Sequence, residues 1–272
     1  MATVKEKYGF LPTSVWNIVK SRFWTSMIQD EGDTQRTRRS MDAKHLPGLK
    51  YSEFNPNVAE RIVVYWSEPG DIILDPFGGR ATRAIVSTEL NRNYIGYEIS
   101  PETYHLTKNR LKFRDEHFTQ NFFQPRGEAK IILGDGCRLE ETQNESVDLV
   151  MTCPPYHDLE KYEEVEGQLS SIKDYGDFLI KIQECTDNIY RVLKKDKFCA
   201  WVCGDWRNQS KGGFFAFHID SINCFKNSGF NLWDIVVLQN NSPFAAKQAT
   251  KCENQRYTSK IHEYLLVFKK SE

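Results

Sequence analysis

Short apolar runs alternate with longer amphipathic segments from residue 51 onward. Runs of this length, rich in β-branched residues and bounded by turn residues, predict buried strands. Seven runs have this character, at residues 71–75, 94–98, 130–135, 146–152, 198–205, 233–239 and 263–269. Apolar positions at helical spacing predict five helices between them, at residues 57–66, 81–90, 101–114, 175–193 and 214–227.

This alternation predicts an α/β fold, with a mostly parallel sheet and helices on both of its faces. Ligands of such sheets bind at the carboxyl ends of the strands, so the residues that directly follow each strand are the candidates for chemistry. The length of 272 residues suits one large domain. We expect a catalytic domain at residues 51–272, preceded at residues 1–50 by an N-terminal arm that packs partly on it.

Membrane and metal sites are not indicated. The apolar runs are far shorter than the roughly 20 residues of a membrane helix, and the first residues lack the apolar stretch of a secretory signal. We therefore expect a cytoplasmic protein with no membrane partner. The seven cysteines are scattered without paired spacing, which argues against a zinc site or a disulfide framework.

Basic residues concentrate in two segments of a chain whose formal net charge is only −1. Residues 1–50 and residues 206–262 each carry a net charge of about +4. Phosphate binding needs only a local positive face, so the near-neutral total permits a nucleic-acid partner. Solvated surface loops would have the same composition.

A glycine-containing turn, residues 75–82 with the sequence DPFGGRAT, follows the first strand and opens a helix. Glycines in such a turn let a ligand approach the backbone closely. The spacing matches neither the GxGxxG dinucleotide fingerprint nor a phosphate-binding loop that continues into Lys-Ser/Thr. A different nucleoside ligand is therefore favoured.

Acidic residues end the next two strands. Glu98 is placed to accept both hydroxyls of a ribose. Asp135, followed by Gly136, is placed to accept a hydrogen bond from an adenine amino group. Either residue alone is typical of a cap or a turn, but their placement at successive strand ends favours a nucleoside site.

The fourth strand runs into Thr152-Cys153-Pro154-Pro155-Tyr156. Two prolines fix φ and lack N–H groups, so the carbonyls of Cys153 and Pro154 can point rigidly into a cleft. Carbonyls there can hold the protons of an exocyclic amino group of a base and direct its otherwise delocalised lone pair. Tyr156 supplies an aromatic face for a base that is flipped out of its stack.

In this order, the segments DPFGGRAT, YIGYE, LGDG and TCPPY resemble the motifs of the DNA amino-methyltransferases of restriction systems and phages. The resemblance covers roughly residues 52–270. It implies a Rossmann-like, seven-stranded methyltransferase fold, S-adenosylmethionine as cofactor, and methylation of adenine N6 or cytosine N4 in DNA. It implies a catalytic segment of Cys153, Pro154, Pro155 and Tyr156, and cofactor contacts from Asn55, Pro56, Asp75, Pro76, Phe77, Gly78, Gly79, Thr82, Glu98, Asp135 and Gly136.

Two features depart from the family pattern. Most members continue the first motif with Ser-Gly-Thr-Thr, whereas this chain has Gly79-Arg80-Ala81-Thr82, which brings bulk and charge beside the cofactor. Relatives carry Asp, Asn or Ser at the position of Cys153, a weaker acceptor, so the target stays open between adenine and cytosine. A thiolate attack on pyrimidine carbon 5 is disfavoured, because such DNA enzymes use Pro-Cys and this segment reads Cys-Pro.

Other functions stay open. The methyl acceptor could be RNA or a glutamine side chain, although glutamine-methylating relatives normally have Asn before Pro-Pro-Tyr. A catalytically silent DNA-binding protein or partner subunit would keep the same fold. We expect duplex DNA with a flipped base as partner, contacted by the N-terminal arm and residues 206–213 and 240–260, and a monomer or a homodimer. The acidic loop at residues 157–174 is either a lid or a solvated loop.

Overall fold

A computed structural model describes residues 4–18, 24, 27–28, 54–118, 125–157, 165–207, 213–239, 252 and 256–271. Several predictions fall partly outside these residues. The parts that lie outside the described residues are most of the N-terminal arm, residues 158–164 of the acidic loop, residues 208–212, and residues 240–251 and 253–255. The division into an arm and a catalytic domain stays a prediction.

Ten strands are present in the described part of the chain. They are β1 (Val15–Asn17), β2 (Ile72–Asp75), β3 (Asn93–Glu98), β4 (Ala129–Leu133), β5 (Val147–Thr152), β6 (Leu193–Cys203), β7 (Trp206–Arg207), β8 (Phe214–Phe215), β9 (Asn231–Gln239) and β10 (His262–Lys269). Eight of them form one sheet in the order β1-β9-β10-β6-β5-β2-β3-β4, while β7 and β8 form a separate two-stranded hairpin.

The helices described are α1 (Val4–Tyr8), α2 (Pro56–Trp66), α3 (Thr82–Glu89), α4 (Pro101–His117), α5 (Tyr175–Val192) and α6 (Phe217–Asn227), with a 3₁₀ turn at Leu169–Ser171. Side-chain caps fix where three of them begin. Asn55 accepts the backbone N–H groups of Asn57 and Val58 at the start of α2. Ser100 and Asp174 cap α4 and α5 in the same way.

All seven predicted strands are present, and the predicted fold class is confirmed. The sheet has an eighth strand that was not predicted, because β1 is only three residues long and pairs parallel with β9. The other pairs are parallel except those of β10, which runs antiparallel between β6 and β9. The helix predicted at 214–227 is wrong at its start, since Phe214 and Phe215 pair as β8 with β7.

Two apolar cores cover the two faces of the sheet. One contains side chains of α2 and α3 together with Trp16. The other contains side chains of α5 and α6. Strand alternation divides β10 between them, with Leu265 and Val267 in the first core and Leu266 and Phe268 in the second. The carboxyl ends of the central strands are thereby held at one rigid edge.

None of the helices described is both long and apolar enough to cross a membrane.

Candidate active site

A cavity of about 290 Å³ opens at the carboxyl ends of β2, β3 and β5 and at the loop that follows β4. Its wall combines five stretches of chain with single residues from other elements. The main stretches are residues 54–55, 76–80, 97–99, 135–137 and 153–156, and the wall is completed by Ile18, Val58, Thr82, Arg83, Thr103, Gly167, Gln168, Leu169, Val202, Leu238 and Glu263. The predicted nucleoside and base segments therefore face one common space.

Asp75 lies behind this wall and is fully buried. Its carboxylate accepts hydrogen bonds from the hydroxyls of Tyr94 at 2.7 Å and Thr152 at 2.6 Å. It also accepts one from the Phe77 N–H at 3.1 Å and forms an ion pair with Arg83 Nε at 2.5 Å. The resemblance implied a cofactor contact for Asp75, whereas the structure has this carboxylate joining β2, β3, β5 and α3 beneath the cavity.

Arg83 is a residue that the sequence analysis missed. Besides its pair with Asp75, it donates to the Phe77 carbonyl at 2.5 Å, and its guanidinium lies 4.7 Å from the Phe54 ring centroid. Burial is the largest single effect and would lower the pKa of Arg83, but the Asp75 carboxylate together with the Tyr94 and Cys153 side chains outweighs it and holds the pKa above its usual value. No sequence motif marks this position. An arginine in the first turn of a helix usually faces solvent, so the burial of Arg83 was not expected.

Gly78 and Gly79 of the first turn, and Gly136 after β4, lie where the backbone closely approaches another part of the chain. Gly78 donates its N–H to the Tyr97 carbonyl at 2.7 Å, and a Cβ at Gly78 would lie 3.1 Å from that oxygen. Gly79 adopts φ +57° and donates its N–H to Glu98 at 3.1 Å. A Cβ at Gly136 would lie 1.8 Å from the Pro76 carbonyl oxygen. The need for glycine at 136 therefore comes from contact between two loops of the protein.

Glu98 ends β3 on the cavity wall. Its two carboxylate oxygens accept backbone N–H groups from Gly79 at 3.1 Å and Ser100 at 2.9 Å. Each oxygen keeps further acceptor capacity, because an ionised carboxylate has about four lone-pair sites. Burial raises the pKa of Glu98 to about 7, against the opposing effect of the two N–H donors.

Asp135 follows β4 and faces the same cavity. Its Oδ1 accepts the Cys137 N–H at 2.8 Å, and its Oδ2 pairs with Lys181 Nζ of α5 at 3.0 Å. Gly167 passes close by, since a Cβ there would lie 3.4 Å from Asp135 Oδ2. The carboxylate is thus held by a turn and a helix, with Gly167 of the acidic loop beside it on the cavity wall.

The segment Cys153-Pro154-Pro155-Tyr156 forms another part of the cavity wall. The Tyr156 hydroxyl donates to Glu263 Oε1 of β10 at 3.0 Å. Its ring packs on Trp206 with a centroid distance of 5.8 Å. Burial, together with the nearby Cys153 and Glu263 side chains, raises the pKa of Tyr156 well above its usual value. The hydroxyl therefore stays protonated and acts as a donor.

A family model described as DNA methylase matches residues 4–109 and 147–272. The chain belongs to the DNA methylase family. The predicted resemblance is therefore confirmed at the level of the family, over segments that include Glu98 and residues 153–156 of the cavity wall but not Asp135.

Two curated DNA methylase relatives show local similarity. The Type II methyltransferase M.XycI of Xanthomonas campestris pv. cyanopsidis is 35% identical over 85 residues, which cover 30% of this chain and 28% of the relative. The Type II methyltransferase M.Cfr9I of Citrobacter freundii is 29% identical over 117 residues, covering 42% of this chain and 36% of the relative. The chain thus spans about a third of the length of these relatives.

A solved structure supports the fold. A SAM-dependent methyltransferase from Methanosarcina mazei superposes with a TM-score of 0.51 at 14% identity, covering 78% of this chain and 98% of that one. At this identity the likeness concerns the arrangement of strands and helices.

In this member of the DNA methylase family, every predicted site residue lines the cavity except Pro56 and Asp75. Pro56 instead begins α2 behind its cap Asn55. Glu263 was missed along with Arg83, because it lies 107 residues from its partner Tyr156 and only the fold brings the two together. Among the described residues, no group of three or more His, Cys, Asp or Glu is arranged to hold a metal ion.

Proposed function

We propose that this DNA methylase transfers a methyl group from S-adenosylmethionine to an exocyclic amino group of DNA, either N6 of adenine or N4 of cytosine. One observation carries the proposal. Gly78, Glu98 and Asp135 form a nucleoside wall, the part of the cavity lining expected to hold the cofactor. The segment from Cys153 to Tyr156 lines the same cavity. A nucleoside cofactor and a base amino group can therefore meet without a large rearrangement of the described residues.

The chemistry of the first wall fits the cofactor. Glu98 is held by two N–H groups and retains lone pairs for ribose hydroxyls. Asp135 offers a carboxylate to an adenine amino group, while Phe77 adds an aromatic surface on the wall. S-adenosylmethionine, when bound there, supplies an electrophilic methyl group. The cavity volume lies near the lower end of the range of roughly 300–1,000 Å³ for small-molecule sites.

The second wall suits a base. The Cys153 and Pro154 carbonyls are the acceptors for the amino protons, and holding these protons orients the lone pair of the nitrogen. Tyr156, fixed by Glu263 and Trp206, provides the ring on which the base stacks. These residues supply positioning and electrostatic stabilisation, and the step requires no general base before transfer. The proton of the methylated nitrogen is released to solvent afterwards.

Membership of the DNA methylase family and similarity to two Type II methyltransferases support DNA as the substrate. A base inside a duplex cannot reach a cavity that is bounded by strand ends, so we propose that the target is flipped out of its stack. We further propose residues 51–272 as the catalytic domain, with residues 1–50 as an arm that contacts DNA. A cytoplasmic location is part of the same proposal.

Calorimetry with S-adenosylmethionine tests the first requirement. The wild type should bind saturably, and Glu98→Ala should weaken binding severely because it removes the ribose acceptor. Lys195→Ala is a matched control, since Lys195 is exposed near the amino end of β6, away from the site. A wild type that does not bind the cofactor would refute the proposal.

The substrate is tested by offering genomic DNA, RNA and protein in parallel with radiolabelled cofactor. Label in DNA, identified as N6-methyladenine or N4-methylcytosine by nucleoside mass spectrometry, is the expected outcome. Label confined to RNA or to glutamine would assign those substrates instead. Finding only 5-methylcytosine would overturn amino methylation, and DNA binding without turnover would identify a silent family member.

A further inference from the structure

The hairpin of β7 and β8 connects the base site to the protein surface. Trp206 and Phe215 are cross-strand partners, as are Arg207 and Phe214. Because successive side chains of a strand point to opposite faces, the two pairs lie on opposite sides of the hairpin. Trp206 and Phe215 stack at 5.4 Å on the inner side, where Trp206 also contacts Tyr156 at 5.8 Å.

The outer side presents a cation held by aromatic rings. The Arg207 guanidinium carbon lies 5.0 Å from the Phe214 ring centroid and 4.7 Å from that of Tyr257. Arg207 is exposed, and 53% of the Phe214 surface is accessible. This exposure contrasts with Trp206 on the inner side, which is buried.

Arg207 keeps its charge available. Within the described part of the chain, no carboxylate pairs with its guanidinium. The nearest acidic residue in sequence, Asp205, is engaged by the His218 ring at 2.8 Å. Residues 206–262 carry a net charge of about +4. The N–H donors of a guanidinium lie in its plane, so rings over its faces leave these donors free for the oxygens of a phosphate.

We propose that Arg207, Phe214 and Tyr257 form the contact for the DNA strand that flanks the methylated nucleotide. Arg207 binds a backbone phosphate, and Phe214 stacks on an unpaired base beside the target. This contact lies close to the target base because the inner side of the same hairpin, through Trp206, packs on Tyr156, the residue proposed to hold that base. The assignment rests on the proposed function for the identity of the strand.

Titration of a labelled single-stranded oligonucleotide of mixed sequence, and of its duplex, over a salt series tests this surface by fluorescence anisotropy. Arg207→Ala should weaken binding to both and lower the slope of log K against log salt by about one, because one phosphate contact is lost. Phe214→Ala should leave the slope unchanged. It should weaken single-strand binding at least about fivefold and duplex binding less, because only unpaired bases offer a free face.

Two controls make the result specific. Arg207→Lys keeps the charge and should restore the salt slope. Lys195→Ala removes one exposed charge near the amino end of β6 and should bind like the wild type. Both alanine variants alter exposed side chains, so their thermal midpoints should match the wild type and exclude a folding defect.

Wild-type affinity in Arg207→Ala and Phe214→Ala, or an equal loss in Lys195→Ala, would overturn the proposal. Displacement of the oligonucleotide by RNA of the same sequence at lower concentration than by DNA would make RNA the partner and overturn it also. Failure of the proposed function is seen separately, since a protein that binds no S-adenosylmethionine can still show the predicted salt dependence.

Discussion

The Tyr156 hydroxyl donates a hydrogen bond to Glu263 across 3.0 Å, and both side chains line the cavity. Gly204 lies beside this pair, and a Cβ there would meet Lys260 Nζ first and would lie 3.3 Å from the Tyr156 hydroxyl. A carboxylate from β10 therefore fixes the ring that ends the segment proposed to hold the target base.

Glu263→Gln should lower kcat about fivefold, because the amide oxygen still accepts from Tyr156 but a hydrogen bond to a charged carboxylate is roughly twice as strong, so the tyrosine ring is held less firmly. Tyr156→Phe should produce a similar loss. Methyl transfer under saturating cofactor measures both. The affinity for S-adenosylmethionine should be unchanged, since neither group belongs to the proposed nucleoside wall.

The double variant decides whether the two residues act as a unit. Tyr156→Phe with Glu263→Gln should be no slower than the slower single variant, because the second change removes a bond that is already lost. Additive losses would show that Glu263 acts on the substrate independently of Tyr156.

Cys153→Ser should keep activity within roughly tenfold of the wild type, because the hydroxyl can replace the thiol as a passive acceptor. Single-turnover methyl transfer to DNA is the measurement. Cys153 is half-buried on the cavity wall beside Pro154. Complete loss of transfer in a folded variant would instead indicate a nucleophilic thiolate.

Cofactor affinity should rise with pH through the range around 7. Burial raises the pKa of Glu98 to about 7 in the free protein, and only the ionised carboxylate accepts both ribose hydroxyls. Affinity measured by calorimetry should therefore be about tenfold lower at one pH unit below this pKa than on the alkaline plateau. A flat profile in the wild type would contradict the proposed ribose contact.

The free energy of unfolding of the protein without cofactor should fall as pH rises, which is opposite to the trend of the cofactor affinity. The folded pKa of Glu98 is raised above its ordinary value of 4.5, so its contribution is fully present below pH 4.5 and is lost as pH rises through about 7. Glu98→Gln should remove this component, which is on the order of 2 kcal/mol. Urea unfolding of the wild type and of Glu98→Gln between pH 5 and 8 isolates this component, because the two proteins share all their other titrating groups.

Asp75→Asn should lower the free energy of unfolding by about 3 kcal/mol, because it leaves the buried Arg83 without its charge partner. Chemical denaturation followed by circular dichroism measures the loss. Asp71→Asn is a suitable control, since that carboxylate pairs with Lys197 at 3.5 Å near the sheet surface. Equal effects of the two changes would contradict the structural role of Asp75.

Gly136→Ala should destabilise the fold by about 1–3 kcal/mol or more, since its Cβ would meet the Pro76 carbonyl. Gly134→Ala, two residues away, provides the comparison because its nearest contacts would be 3.8 Å away. Thermal unfolding without ligand separates this packing effect from loss of a cofactor contact. Normal stability in Gly136→Ala would show that the two loops separate readily.

The sequence predicted the parts of the site that depend on local order. Strand runs located the carboxyl ends, so Glu98, Asp135 and Tyr156 could be assigned to one edge from the sequence alone, and all three line the cavity. Asp75 shows where this reasoning fails. A motif identifies its carboxylate but does not reveal that four groups of the protein already bind it.

Glu263 and the hairpin could not be predicted for a related reason. Their significance comes from pairings between segments that are distant in sequence, such as Glu263 with Tyr156. Phe214 and Phe215 also fit an apolar helical start, and only their pairing with β7 selects a strand. Propensity gives the local preference, whereas tertiary contacts decide between strand and helix.

The position of β10 has a consequence for biosynthesis. Residues 262–269 fill the interior of the sheet between β6 and β9, although they are made after both. Until they emerge from the ribosome, β6 and β9 each present an unpaired edge that can recruit other chains. Completion of the sheet and delivery of Glu263 to Tyr156 are then one event, so a nascent chain completes its candidate site only when these exposed edges have been closed.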